Sequence, residues 1–152
     1  MSERVIESRS AQDTYALGME LGQRAVPGQI LALSGDLGAG KTVLAQGLAA
    51  GLGVQGPVSS PTFTIMQVYE DGRLPYYHFD VYRISDVDEM DAIGWEEYLY
   101  GRGVCLIEWA DLVEEALPES AVRITIEKDA AQGYDYRRIR IRNQDASGPK
   151  DD

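Results

Sequence analysis

Cysteine and histidine are almost absent from this sequence: Cys105 and His78 are the only residues of their types. One cysteine cannot form a disulfide within the chain, and the pair cannot supply the four ligands of a structural zinc site. Cys105 lies in the apolar run VCLI, which is typical of a buried core residue rather than of a nucleophile. The lone histidine is likewise expected to be structural.

Long apolar runs are also missing. The first ten residues, MSERVIESRS, contain no apolar segment of the kind found in secretion signals. No stretch approaches the roughly 20 apolar residues that cross a bilayer. We therefore expect a cytoplasmic protein with a reduced thiol and no membrane contact.

Basic residues are scarce, with 14 Lys and Arg against 25 Asp and Glu and a net charge of −11. Nucleic-acid binding depends on basic side chains that neutralise phosphates, so direct binding of RNA or DNA is not expected. An acidic protein can still act on RNA through a basic partner.

The apolar pattern predicts alternating strands and helices in one domain. Buried strands are expected at Gln29–Leu33 and Gly103–Trp109, and a short strand at Val5–Ile6. Hairpins are expected from Thr62–Tyr69 with Tyr76–Tyr82 and from Ala121–Glu127 with Tyr136–Arg142. Helices are expected after the capping residue Ser10, over Lys41–Ala50, over Asp86–Tyr100 with a break at Gly94, and over Leu112–Leu117.

One motif carries specific chemistry. Residues Gly35–Thr42, GDLGAGKT, match G-x-x-x-x-G-K-[ST], and an apolar run precedes them while a helical pattern follows. Gly35 allows a tight exit from the strand, and Gly38 and Gly40 allow close approach of the backbone to a ligand. The N–H groups of Gly38–Val43, Ala39 included, are expected to hold phosphates, Lys41 to reach the β- and γ-phosphates, and Thr42 to bind Mg²⁺.

Mg²⁺ needs further oxygen ligands, and two acids are placed to provide them or to assist hydrolysis. Glu108 ends the apolar strand VCLI and is predicted as the metal ligand, directly or through water. Asp80 lies in YYHFDVY and is predicted as a base or a residue that positions water. We expect Lys41, Asp80 and Glu108 to be the catalytic residues of a single α/β domain over residues 1–142, a P-loop NTPase-like mixed sheet flanked by helices, with a disordered tail over 143–152.

Other candidates have two readings each. Thr62 or Thr64 is placed to sense the γ-phosphate or simply leads into a strand. Trp109 either packs in the core or lies beside the nucleotide. The arginines of the run Arg137–Arg142, RRIRIR, most simply form the solvent-exposed face of an edge strand, although one of them could contact the nucleotide. The chain lacks the Asn/Thr-Lys-x-Asp loop that usually reads guanine, which favours adenine.

Four ordered blocks resemble the TsaE family, formerly YjeE, of small P-loop ATPases. They are GDLGAGKT at Gly35–Thr42, SPTFTI at Ser60–Ile65, HFDVYR at His78–Arg83 and LIEW at Leu106–Trp109. The resemblance implies slow hydrolysis of Mg²⁺-bound ATP in work with TsaB and TsaD, which transfer a threonylcarbamoyl group to adenosine in tRNA. It implies contact with tRNA only through those partners.

The resemblance also implies roles for particular residues. Gly38–Val43 would hold the phosphates of ATP or ADP, Thr42 and Glu108 would hold Mg²⁺, and Asp80 would support hydrolysis. Trp109 would adjoin the site. Ala11, within Ser10–Thr14, and Gly133 would help enclose the adenine. Val43 stands where many members have a second threonine.

Two other classes of function remain open from the sequence. A small-molecule kinase would need an acceptor pocket and an arginine-rich lid, for which the Arg137–Arg142 run is the only candidate. A binding module could use ATP as a switch without turnover.

Overall fold

The computed structural model describes residues 3–35, 38–55, 66–81 and 94–143, with only the backbone of Asp111 and Leu112. Several sequence predictions lie outside these residues. They are the roles of Thr62 and Thr64, the first part of the Asp86–Tyr100 helix pair, and the tail after Asn143.

The described strands form one seven-stranded mixed sheet in the order β1-β7-β6-β2-β5-β4-β3. The strands are β1 Glu3–Ser8, β2 Ile30–Gly35, β3 Met66–Tyr69, β4 Tyr76–Asp80, β5 Val104–Glu108, β6 Val122–Lys128 and β7 Arg137–Arg142. The central strand β2 runs parallel to both β5 and β6, and β4 runs parallel to β5. The pairs β3–β4 and β6–β7 are antiparallel, which confirms both predicted hairpins.

Helices cover the two faces of the sheet. They are α1 Ala11–Arg24, α2 Lys41–Leu52, α3 Trp95–Leu99 and the 3₁₀ helices Ala110–Ala116 and Ala130–Gln132. The predicted cap of α1 is present, since the N–H of Asp13 donates to Oγ of Ser10 at 3.1 Å. The helix α3 begins directly after Gly94, as predicted. None of the helices in the described part of the chain is long and apolar enough to cross a membrane.

The helices α1 and α2 are in direct backbone contact at glycines. A Cβ atom added at Gly47 would lie 2.2 Å from the carbonyl oxygen of Tyr15, and one added at Gly18 would lie 2.4 Å from that of Leu44. Gly22 and Gly51 repeat this arrangement one turn further along each helix. The close approach fixes the position of α2, and therefore of the loop that precedes it.

Strict alternation along β4 and β5 divides their side chains between two cores. Tyr76, Val104 and Leu106 pack on the side of α1 and α2. Phe79 and Cys105 pack on the side of α3, which confirms Cys105 as a core residue. Asp80 lies four residues after Tyr76, and Glu108 lies two residues after Leu106. Because both spacings are even, both carboxylates lie on the α1–α2 side of the sheet.

The expectation that the arginine run forms an edge strand is wrong. The strand β7 pairs with β1 on one side and β6 on the other, so it lies inside the sheet. The pairing of β1 with β7 joins segments that are far apart in the sequence, and local sequence patterns do not predict such a contact. Arg138 and Arg140 lie on the face of the sheet opposite α1 and α2 and make ion pairs with Glu127.

Candidate functional site

The glycine-rich loop connects the central strand to α2, as the motif predicts. The strand β2 ends at Gly35 and α2 begins at Lys41. Gly38 and Gly40 have φ angles of 79° and 109°, a region that side chains with a Cβ rarely adopt. No side chain caps α2 at Gly40 among the described residues, and its first turn contains no acid. The start of the helix is therefore suited to an anionic ligand.

A cleft of about 330 Å³ lies beside this loop. It is lined by Gly38, Gly40, Lys41, Thr42, Asp80, Glu108 and Trp109. These residues come from three separate regions of the sequence, and all were candidates on sequence grounds. The structure therefore brings the P-loop lysine and threonine together with both predicted acids and the tryptophan.

The two acids are neighbours on adjacent strands. Glu108 of β5 pairs with Asp80 of β4 on one side and with Leu33 of β2 on the other, both in parallel register. Glu108 is buried, with 4% of its surface exposed. The carboxyl ends of three parallel strands thus place both carboxylates at the edge of the sheet where the P-loop begins.

His78 makes a contact that the sequence did not reveal. Its Nε2 lies 2.5 Å from Oε2 of Glu108, and both residues are buried. The ring of Tyr76 stacks on that of His78 at 5.9 Å between centroids. Burial, and secondly the nearby charge of Glu108, raise the pKa of the Tyr76 hydroxyl well above its ordinary value. The only sequence signal for this group was the even spacing of Tyr76, His78 and Asp80.

Trp109 covers the lysine of the loop. Nζ of Lys41 lies 3.2 Å from the centroid of the Trp109 ring, and it donates to the carbonyl oxygen of Gly35 at 2.7 Å. Trp109 has a left-handed backbone, with φ of 61°, at the point where β5 ends. Its ring packs partly against the α3-side core, as one of the two predictions has it, and it also lines the cleft.

The remaining predicted contacts lie around the cleft or away from it. Ala39 is buried and Val43 is half-buried. Ala11 starts α1, and Gly133 ends the short 3₁₀ helix Ala130–Gln132, and neither lines the cleft. Thr14, three residues beyond Ala11, is closer: its Cγ2 would lie 4.0 Å from a Cβ at Gly40.

The donor set fits magnesium bound together with a phosphate. Thr42, Asp80 and Glu108 offer a hydroxyl and carboxylate oxygens, which are the hard ligands that Mg²⁺ prefers. Within the described ranges, no group of three or more His, Cys, Asp or Glu residues could hold a metal by itself. A metal at this cleft would need oxygens from a phosphate or water, as in P-loop proteins.

Comparisons with known proteins agree with this geometry. The family model "Threonylcarbamoyl adenosine biosynthesis protein TsaE" matches residues 8–139. A TsaE protein of Bacillus subtilis is 48% identical over 128 residues, covering 84% of this chain and 78% of the relative. A TsaE protein of Treponema pallidum is also 48% identical, covering 78% of this chain and 87% of the relative.

A solved structure is similar over most of the fold. The crystal structure of Bacillus subtilis YdiB has a TM-score of 0.79 and 41% sequence identity, covering 92% of this chain and 84% of the other. The sequence resemblance and the expected α/β fold are both confirmed. The chain therefore belongs to the TsaE family of threonylcarbamoyl adenosine biosynthesis proteins.

Proposed function

We propose that the chain binds ATP with Mg²⁺ and hydrolyses it slowly in support of threonylcarbamoyladenosine formation in tRNA. The observation that carries this proposal is the single cleft that joins Lys41 and Thr42 of the P-loop to Asp80 and Glu108. Membership of the TsaE family places the protein in this biosynthesis.

Each residue of the cleft has a distinct task in the proposal. The N–H groups from Gly38 to Val43 hold the phosphates, and Lys41 supplies a positive charge to the β- and γ-phosphates. Thr42 and Glu108 hold Mg²⁺, which when bound neutralises charge on the phosphate oxygens. Asp80 orients the attacking water.

Lys41 must leave its resting contacts to reach a phosphate. It donates to the carbonyl oxygen of Gly35 and lies under the Trp109 ring. Charge–charge attraction to a phosphate is stronger than either contact. Nucleotide binding is therefore expected to change the environment of the Trp109 indole.

The residues that line the cleft support the proposal of slow turnover. No arginine is among those that the structure describes there. P-loop proteins that lack an arginine finger hydrolyse nucleotides slowly until a partner supplies the missing charge or alignment. TsaB and TsaD are the proposed partners, in the cytoplasm, and the net charge of −11 suits a protein that meets tRNA only through them.

Calorimetric titration with ADP and ATP, with and without Mg²⁺, tests the site. Lys41→Ala should weaken binding of both nucleotides by about a hundredfold, since it removes a charged contact to phosphate. Glu108→Gln should remove the Mg²⁺-dependent part of the affinity and leave metal-free ADP binding in place. Glu119→Gln is the matched control, because Glu119 is exposed and lies outside the cleft.

The fate of ATP separates hydrolysis from the two other classes of function. Wild-type protein incubated with TsaB, TsaD and ATP should release ADP and inorganic phosphate. Intact ATP after long incubation would instead support a binding module, and transfer of phosphate to a metabolite would support a kinase. Wild-type turnover by Lys41→Ala would contradict the assignment of the site.

A further inference from the structure

Arg137 connects two parts of the chain that are about a hundred residues apart in sequence. Its Nε donates to the carbonyl oxygen of Ala39 at 2.9 Å, and its Nη2 donates to that of Gly38 at 3.4 Å. Its Nη1 donates to the carbonyl oxygens of Tyr134 and Tyr136 at 2.9 and 2.8 Å. One guanidinium thus binds both the P-loop and the loop between β6 and β7.

The position of Arg137 in its strand explains this contact. Arg137 alternates with Ile139 and Ile141, which are buried on the α1–α2 side, so it points to the face that carries the P-loop. Arg138 and Arg140 point to the other face and pair with carboxylates. Arg137 makes no ion pair with a carboxylate in the described part of the chain, and carbonyl oxygens are its partners instead.

The planarity of the peptide bond gives the contact a consequence. In a trans peptide the C=O and the following N–H point in opposite directions. Because the carbonyl groups of Gly38 and Ala39 are turned towards Arg137, the N–H groups of Ala39 and Gly40 are turned away from it. Those N–H groups belong to the set that would hold the phosphates.

We propose that Arg137 is a positioning residue that sets the direction of the P-loop amides and links the P-loop to the loop of residues 130–136. This inference rests on the proposed function, since it concerns the same phosphate site. Arg137 contacts the carbonyl oxygens of Gly38 and Ala39, and it acts on the ligand through these two peptides rather than on the phosphate itself.

The linkage makes a specific prediction about a ligand that reaches only the phosphate site. Inorganic pyrophosphate carries no base or sugar, so it should bind at the P-loop without touching the loop of residues 130–136. If Arg137 couples the two loops, pyrophosphate should still slow amide hydrogen exchange in residues 130–136 of the wild-type chain, because order in one loop stabilises the other.

Hydrogen exchange and calorimetry on Arg137→Gln test the inference. In this variant pyrophosphate should no longer protect residues 130–136, and its dissociation constant should rise about tenfold. Arg140→Gln is the matched control: it removes the same charge from the same strand but on the opposite face, and it should keep both the affinity and the protection. Arg137→Lys, which retains the charge with fewer donors, should give an intermediate affinity and serves as the second variant if Arg137→Gln does not fold.

The outcomes separate the inference from the proposed function. Pyrophosphate binding with unchanged protection of residues 130–136 in Arg137→Gln, or without any protection in the wild-type chain, would overturn the role of Arg137 and leave the nucleotide site intact. A wild-type chain that binds neither pyrophosphate nor ADP would overturn the proposed function, and the positioning role with it.

Discussion

Replacing Gly47 by alanine should destabilise the protein, although alanine is the better helix former. The new Cβ would lie 2.2 Å from the carbonyl oxygen of Tyr15, whereas ordinary contact begins at 3.4 Å, so the shortfall is 3.4 − 2.2 = 1.2 Å. The obstructing atom belongs to the backbone of α1 and cannot rotate away as a side chain would. The two helices must therefore separate or tilt.

The net cost combines two opposing effects. Alanine gains about 1 kcal/mol over glycine inside a helix. Overpacking costs about 1–3 kcal/mol, and more where the neighbour is rigid, so we take about 4 kcal/mol here. The free energy of unfolding should fall by about 3 kcal/mol, which for a chain of this size lowers Tm by about 6–12 °C.

Thermal unfolding followed by circular dichroism measures this effect. Gln46→Ala is the control, because Gln46 is the exposed neighbour in the same helix and its Tm should change little. Gly18→Ala, across the same contact, should also destabilise, but the double variant should lose less than the sum, since helices separated for one alanine have room for the other. A stabilised Gly47→Ala variant, or strictly additive losses, would refute the reasoning.

Three further predictions concern single side chains. Burial raises the pKa of the Cys105 thiol to about 12, so iodoacetamide at pH 8 should leave the folded protein unmodified and react only in denaturant; labelling of the native protein, read by mass spectrometry, would contradict this. Arg73 donates to the carbonyl oxygens at the end of α1, at 2.7 Å for Gly22. Arg73→Ala should therefore lower the free energy of unfolding, measured in urea, by about 1–3 kcal/mol, whereas Arg102→Ala, at an exposed position, should leave it almost unchanged. His78→Ala leaves the buried Glu108 without its hydrogen bond and opens a cavity, so it should lower the unfolding free energy by at least about 2 kcal/mol; equal stability of variant and wild type would show that the contact contributes nothing.

Local patterns were sufficient for the parts of the site that lie at the ends of strands. The motif Gly35–Thr42 identified the strand, loop and helix together, because each glycine and the lysine have a physical role at that spacing. Glu108 was recognised because an acid directly follows a buried apolar run. Asp80 was selected from its position in YYHFDVY, and the strand register of the structure then placed it beside Glu108.

Contacts between distant segments were not predictable in this way. The pairing of β1 with β7 depends on two chain ends meeting, and it changed Arg137–Arg142 from an expected edge strand into an internal one. The glycine contacts between α1 and α2 are invisible until the helices are placed side by side. Arg137 looked like its neighbours in sequence, and only the strand register separates it from them.

The register of β4 has a consequence for how the family can vary. Side chains along this strand alternate between two sides of the sheet: Asp80 lines the cleft and His78 contacts Glu108 on one side, and Tyr77 and Phe79 pack in the α3-side core on the other. Inserting or deleting one residue before Asp80 would exchange the two sets, burying an acid among aromatic rings and turning apolar groups towards the cleft. A change of length within Tyr76–Asp80 should therefore disrupt the cleft, because the order of side chains along this short strand decides which groups face it.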